Sequence, residues 1–340
     1  MVLRVGETKG YFLSSQSGQG YYSFLKNSVH NLQKKIVLRG GTNQLRSRIM
    51  RNISFSLVDR GFNMEAVYGT INPINLEAVI MPQLDLCILG TEGLDISKVN
   101  ASKTIDIGEY CFRDYYLVYK SKIKDLEEQA RVSLELAQEE LCGLKNILSS
   151  NSGKIDQKDE LQALYITEKL LRKLFSLDQG KIVNRFAQCI TGKGVIDCYS
   201  SLLTKIKNRH YLNGIDIVNG GWILKLVARE AVTKGLSVEV YHNCLEPALI
   251  ELLIIPDLNL AIGIRDFSGD FQKLISYKQG EKEITNKTIY DLDLDKGIKF
   301  LEQVDELNDE VCILFNETID FHEIEKLEKK LLTEIIEDIR

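Results

Sequence analysis

Apolar residues along the chain follow two patterns: short runs typical of buried strands, and spacings of three and four typical of amphipathic helices. In the first part, strands are predicted at 35–38, 63–68 and 84–89, with a helix at 44–60 between the first two. The helix stops at Gly61, where glycine suits a left-handed helix end. Strands that alternate with helices predict right-handed βαβ units and a parallel sheet, buried on both faces.

The same pattern recurs after a shift of 174 residues, without gaps, over residues 12–88. The second copy predicts strands and a helix at 211–212, 221–234, 237–242 and 258–264. Glycines and prolines, which mark special backbone geometry, match between the copies. Pro73 falls on Pro247, and Pro82 falls on Pro256. A short connection is predicted between the two prolines of each unit. We therefore interpret the chain as a tandem duplication.

The segment between the two copies has a different pattern. Residues 115–148 show helical spacing, a polar break follows at 149–153, and a second helical pattern covers 158–175. We interpret these as a helical hairpin, and we predict a further helix at 322–339. The predicted domains are 1–114 (first α/β unit), 115–180 (hairpin) and 181–340 (second α/β unit). The helices pack on their own units or on each other, or they bind a protein partner, although their apolar spacing is not a sustained heptad.

Composition places the 340 residues among ordinary globular chains, with 44% hydrophobic residues, 27% charged residues and a net charge of −5. This balance excludes a disordered or collagen-like chain and argues against nucleic-acid binding through bulk charge. Seven cysteines without a CxxC pair predict reduced thiols and a cytoplasmic protein. The most apolar stretch, 248–264, is interrupted by Glu251, Pro256 and Asp257, so no membrane span is predicted.

In each unit a glycine loop follows a predicted strand and precedes a helix, which is the setting of the phosphate-binding P-loop, G-x-x-x-x-G-K-[ST]. In the first unit Gly40 provides the first glycine, and Gly41 follows it. Leu45 stands at the second glycine position, Arg46 at the lysine and Ser47 at the hydroxyl position. Apart from Leu45, these are the candidate nucleotide-binding residues of this unit.

The second unit departs further from the motif. Gly214 is its first glycine, while Asn219, Gly220 and Gly221 stand at the second glycine, the lysine and the hydroxyl positions. Gly214, Gly220 and Gly221 are the candidate binding residues, and the adjacent glycines are expected to offer open N–H groups without a positive charge.

Four further stretches, together with the glycine loops, match the pattern of a known family: Gly-Tyr-Phe at 10–12, Asn-Pro-Ile-Asn-Leu-Glu at 72–77, Val-Tyr-His-Asn-Cys at 240–244 and Ile-Pro-Asp-Leu-Asn-Leu-Ala-Ile at 255–262. With them the chain resembles an uncharacterised bacterial family of tandem P-loop ATPase-like proteins. The resemblance implies two P-loop NTPase-like units that use ATP or GTP with Mg²⁺. The acidic Mg²⁺ partner of that family is replaced by Gly90 in the first unit and by Ile264 in the second.

Phosphoryl transfer depends on positioning and on charge neutralisation around Mg²⁺. Because the lysine and the acid are missing from both units, we predict a degenerate, non-hydrolysing protein with a structural or regulatory role and no catalytic residue, metal or cofactor. The alternative is a nucleotide-binding protein with residual NTPase or kinase activity in the first unit, where Asp85 or Glu77 would replace the acid. Glu77 and Glu251 recur at equivalent positions, as relic catalytic acids or as structural polar groups.

Overall fold

The computed structural model describes residues 5–90, 99–149, 157–171, 179–213, 215–269, 271–276 and 292–339. The first unit contains β1 (Thr8–Tyr11), β2 (Ser14–Ser17), β3 (Gly20–Ser23), α1 (Leu25–Val29), β4 (Lys34–Arg39), α2 (Asn43–Val58), β5 (Met64–Tyr68), β6 (Leu76–Met81), β7 (Leu86–Gly90) and β8 (Lys103–Asp106). Two helices follow it, α3 (Arg113–Ser149) and α4 (Gln157–Leu171). The second unit contains β9 (Ile182–Phe186), β10 (Gln188–Thr191), β11 (Gly194–Asp197), α5 (Tyr199–Leu203), β12 (Asn208–Asn213), α6 (Ile217–Thr233), β13 (Val238–His242), β14 (Ile250–Ile255), β15 (Leu260–Gly263) and β16 (Gln272–Ser276). The last two helices are α7 (Asp295–Asn316) and α8 (Phe321–Glu337).

Each unit is built on a six-stranded sheet, and the two sheets have the same topology. The strand order is β1-β5-β6-β7-β4-β8 in the first and β9-β13-β14-β15-β12-β16 in the second. Equivalent neighbours also pair in the same direction, so that β6 and β14 are each antiparallel to both of their neighbours. A register shift occurs between Val67 and Tyr68, and again one repeat later between Tyr241 and His242.

The expectation of a purely parallel sheet is wrong at one strand of each unit. Leu76–Met81 and Ile250–Ile255 lie inside the segments interpreted as short connections, yet they form central strands. In the first unit, a 3₁₀ turn at Pro82–Leu84 and the positive φ of Asp85 then reverse the chain into β7, which makes the pairing antiparallel. Each unit is therefore mixed α/β.

Alternate residues of the central strands pack into different cores, as the period of two requires. In β4, Ile36 and Leu38 belong to a core between the first sheet, α2 and α8. Val37 faces the opposite side, where the core continues into the second unit. The helix α8 contributes four buried residues to the first of these cores: Ile324, Leu327, Leu331 and Ile335.

The helices that follow each unit are exchanged between the units. The long helix α3 packs along α7, α4 packs on α6 of the second unit, and α8 packs on α2 of the first. The predicted helical hairpin is therefore wrong over the described residues, because α3 and α4 have different main packing partners. Each unit is covered by a helix that follows the other unit in sequence. None of the described helices is both long and apolar enough to cross a bilayer.

The two sheets meet at their edge strands, β1 and β9. The equivalent residues Phe12 and Phe186 exchange backbone hydrogen bonds of 3.0 and 2.8 Å. Beside them lies Arg185, which is only 5% exposed and contacts two equivalent carboxylates, Glu65 at 3.1 Å and Glu239 at 2.8 Å. The contact between the units is thus approximately symmetric, with a buried arginine near its centre.

Candidate functional site

The loop at the predicted nucleotide site of the first unit is short. It runs from the end of β4 at Arg39 to the start of α2 at Asn43. Gly40 and Gly41 have φ values of +65° and +63°, a region that favours glycine. Thr42 caps α2, and its hydroxyl accepts a hydrogen bond from the backbone N–H of Leu45. The second glycine position of the motif therefore lies within the helix, and residues 40–42 are too few to form an extended loop around a phosphate.

Arg46 closes this loop from the first turns of α2. Its Nη1 donates to the carbonyl oxygens of Gly40 at 2.7 Å and Gly41 at 2.9 Å, and its Nη2 donates to the side chain of Asn43. The side chain is buried. In a phosphate site the backbone N–H groups point at the ligand. Here two carbonyl oxygens of the loop point at the guanidinium and accept its hydrogen bonds.

The remaining candidates of the first unit are engaged by neighbouring strands. Ser47 is buried, and its hydroxyl accepts a 2.9 Å hydrogen bond from the backbone N–H of Leu76 in β6. Gly90 lies against Arg46, since a Cβ added to Gly90 would lie 3.3 Å from the arginine Nε. Asp85 is at the opposite end of β7, where its carbonyl oxygen accepts from the N–H of Lys34. Asp85 is therefore misplaced as a substitute acid for this loop.

In the second unit, Gly214 lies outside the described residues. The helix α6 is capped by Asp216, whose Oδ1 accepts from the backbone N–H groups of Val218 at 3.0 Å and Asn219 at 2.9 Å. Gly220 lies inside the helix, and its N–H donates to the carbonyl oxygen of Asp216 at 2.8 Å. The expectation of an open N–H group at Gly220 is therefore wrong.

The two glycines of α6 instead allow the helix to approach the sheet. A Cβ added to Gly220 would lie 3.0 Å from the side chain of Ile264, and one added to Gly221 would lie 3.0 Å from the carbonyl oxygen of Ile250. The pair Gly220 and Ile264 is equivalent to Arg46 and Gly90 in the first unit. In the first unit the helix residue is large (Arg46) and the strand residue is small (Gly90). In the second unit the helix residue is small (Gly220) and the strand residue is large (Ile264), so different side chains fill the same space.

A cavity of about 540 Å³ lies beside the loop of the first unit. Its walls come from the Gly41–Arg46 region, the β2–β3 hairpin, the β5–β6 loop, and the helices α3 and α7. Two of the predicted nucleotide-binding residues, Gly41 and Arg46, line it, and so does Glu77, one of the two predicted substitute acids. Its charged lining residues are Arg46, Glu77, Glu127, Arg131, Asp305 and Asp309. We call this space the inter-unit cavity, because α7 follows the second unit.

The equivalent glutamate of the second unit is enclosed by other protein groups. Glu251, the counterpart of Glu77, is buried and accepts hydrogen bonds from Gln188, Asn243 and Tyr199. Burial raises the pKa of the Glu251 carboxyl above its usual value, against the opposing effect of these donors. Of the two interpretations of Glu251, the structural polar group fits this geometry.

Sequence reasoning missed the residues of the inter-unit cavity that lie far from the glycine loop. Among them are Gln16 on β2 and the two aspartates of α7. Comparison of the two copies of the repeat could have pointed to part of this lining. Three polar lining positions of the first unit have apolar or thiol counterparts in the second: Gln16 and Ile190, Thr70 and Cys244, and Asn75 and Leu249.

No protein-family model, curated protein or solved structure matches this chain. Over the part of the chain that the structure describes, no group of three or more His, Cys, Asp or Glu residues is arranged to hold a metal ion. The resemblance to tandem P-loop proteins and the nucleotide-binding role of the candidate residues stay predictions.

Proposed function

We propose that the protein is a degenerate P-loop NTPase-like protein that does not hydrolyse nucleotides and has a structural or regulatory role. The observation that supports this most is the closure of Arg46 on the carbonyl oxygens of Gly40 and Gly41. The cation at the lysine position is thereby held by the loop that would have to bind the phosphate.

Opening this arrangement is energetically unfavourable. A phosphate could reach the loop only if Arg46 left two backbone carbonyls and if the peptide groups turned to present N–H donors. Each hydrogen bond from a charged group to a buried acceptor contributes about 1.5–3 kcal/mol. Gly90 supplies no carboxylate to hold Mg²⁺ at the end of β7. Metal binding at that position therefore cannot offset the loss of the Arg46 hydrogen bonds.

The second candidate is a nucleotide-binding protein with residual NTPase or kinase activity. In its favour, Gly41 and Arg46 line a cavity of about 540 Å³, which lies within the usual range for small-molecule sites. Against it, four carboxylates and two guanidinium groups line the same cavity, a balance that repels a triphosphate. We therefore favour the non-hydrolysing function.

The test combines thermal unfolding with a hydrolysis assay. A ligand present at about 100 times its Kd stabilises the folded state by roughly 2.7 kcal/mol, so millimolar Mg·ATP or Mg·GTP would raise the unfolding temperature visibly if the loop bound it. We expect no shift and no turnover. Turnover that is lost in Arg46→Ala but kept in the control Arg60→Ala, an exposed arginine just beyond α2, would overturn the proposal.

A further inference from the structure

One buried hydrogen-bond acceptor in the inter-unit cavity has no partner within the described protein. Gln16 lies on β2, is 4% exposed and lines the cavity. Its Nε2 donates to the hydroxyl of Thr70 at 3.2 Å, whereas its Oε1 accepts no hydrogen bond from the described residues. Buried acceptors are nearly always paired, and an unpaired one is destabilising. The cavity therefore favours a ligand that donates a hydrogen bond.

The charges around the cavity favour a cation as that donor. Four carboxylates line it, from Glu77, Glu127, Asp305 and Asp309, against two guanidinium groups. Both guanidinium groups already bond to other groups of the protein, and the carboxylates outnumber them four to two. Arg46 bonds to its own loop, and Arg131 forms ion pairs with Glu128 and Glu135, which do not line the cavity.

The two aspartates of α7 differ in how they are held. Asp305 is buried and already pairs with Lys193 at 2.9 Å and with the Asn72 amide. Asp309 is more exposed and accepts a hydrogen bond from Gln44 at 2.5 Å. Burial and the neighbouring Asp305 raise the pKa of the Asp309 carboxyl above its usual value, an effect that a bound cation would reverse.

Apolar side chains form the rest of the wall, including Leu76 of β6, Leu134 of α3 and Val304 of α7. A ligand that fits must therefore combine a cationic donor with an aliphatic body. We infer that the inter-unit cavity binds a small organic cation of the aliphatic amine or guanidine class, which Gln16 and the carboxylates recognise. The inference rests on the proposed function in one respect, namely that no nucleotide phosphate occupies this space.

Comparison of the two units indicates how many cation sites to expect. The second unit has Ile190 and Leu249 where the first has Gln16 and Asn75, and its Glu251 is enclosed by protein donors. Over the described residues, the equivalent region of the second unit therefore lacks these recognition groups, so we expect a single cation site.

Calorimetric titration of the full chain with agmatine and with putrescine, at low salt and without nucleotide, tests the inference. We expect saturable binding at one site per chain, weakened by added salt, and none with 1-butanol, which has a similar body without charge. Gln16→Ile, which introduces the residue of the second unit, should weaken binding about tenfold or more. Asp309→Asn should weaken it about two- to fivefold.

Glu310→Gln is the matched control, because Glu310 is exposed on α7, adjacent to Asp309, and does not line the cavity. It should bind as the natural protein does, and thermal unfolding of each variant shows that it is folded. Absence of saturable binding of either amine would overturn the inference. So would equal binding by Gln16→Ile, or an ADP affinity that exceeds that for the amines and increases in Asp309→Asn. Nucleotide hydrolysis together with amine binding would instead refute only the proposed function.

Discussion

Replacement of Arg185 by methionine tests the buried contact between the units. The arginine is held by Glu65 and Glu239, and its guanidinium lies 4.0 Å from the centre of the Tyr11 ring. Without it, Glu239 keeps Lys9 at 2.6 Å, while Glu65 keeps the Tyr11 hydroxyl. Removal of one partner of a buried ion pair destabilises by about 3–5 kcal/mol, because the remaining charge is poorly solvated. We expect Arg185→Met to lower the free energy of unfolding by that amount.

The effect should depend on pH. Burial raises the pKa of Glu239, but Arg185 and Lys9 together hold it below its ordinary value of 4.5. A carboxyl with a depressed pKa in the folded state stabilises the protein above its unfolded pKa, and this contribution is lost as the pH falls through the folded value. The difference between the natural protein and Arg185→Met should therefore be full at pH 7 and shrink below about pH 4.5.

Denaturant unfolding provides the measurement. The single tryptophan, Trp222 in α6, reports on the second unit by fluorescence, and circular dichroism reports on all helices. Arg131→Met is the control, since its ion pairs with Glu128 and Glu135 are exposed and should contribute little to the free energy of unfolding. A loss below about 1 kcal/mol for Arg185→Met, or a loss that does not change with pH, would refute the reasoning.

Three further experiments probe the repeat and its helices. Burial lowers the pKa of His242 from 6.5 to about 4, so the protein should lose on the order of 3 kcal/mol of stability as the pH falls through this range; His242→Gln should remove that slope in denaturant unfolding. Gly90→Ile should destabilise by about 1–3 kcal/mol, and Arg46→Gly should offset part of this in a double-mutant cycle, whereas additive effects would contradict the shared space. Asp216→Ala should lower the unfolding free energy by about 1 kcal/mol through loss of the α6 cap; an unchanged denaturant midpoint would count against it.

Local patterns in the sequence predict the strand–helix–strand segment at β4–β5 and at β12–β13, but not the elements that precede it in each unit. The helix predicted at 44–60 is observed at Asn43–Val58, because its apolar spacing and its final glycine are local signals. The strand β6 was missed for a physical reason. Five of its six residues are buried, so it shows no alternation, and prolines near both ends made the segment resemble a connection.

Packing between distant segments could not be predicted from such patterns. An apolar stripe on α4 or α8 indicates that the helix is covered on one side, but it does not name the partner. Similarly, Gly220 and Gly221 suggested open backbone, whereas their role depends on Ile264 and Ile250 across the helix–sheet contact. The inter-unit cavity brings Gln16 and Asp305 together from opposite ends of the chain, and no short motif records that proximity.

The exchange of helices between the units has a consequence for synthesis on the ribosome. The apolar face of α2 emerges early, but its cover, α8, is made only after the whole second unit. The side of α2 that α8 covers therefore stays open to other chains for most of translation. The second unit has no such delay, since α4 leaves the ribosome before the helix α6 that it covers. The half of the molecule that is synthesised first is thus the half that waits longest for its last helix.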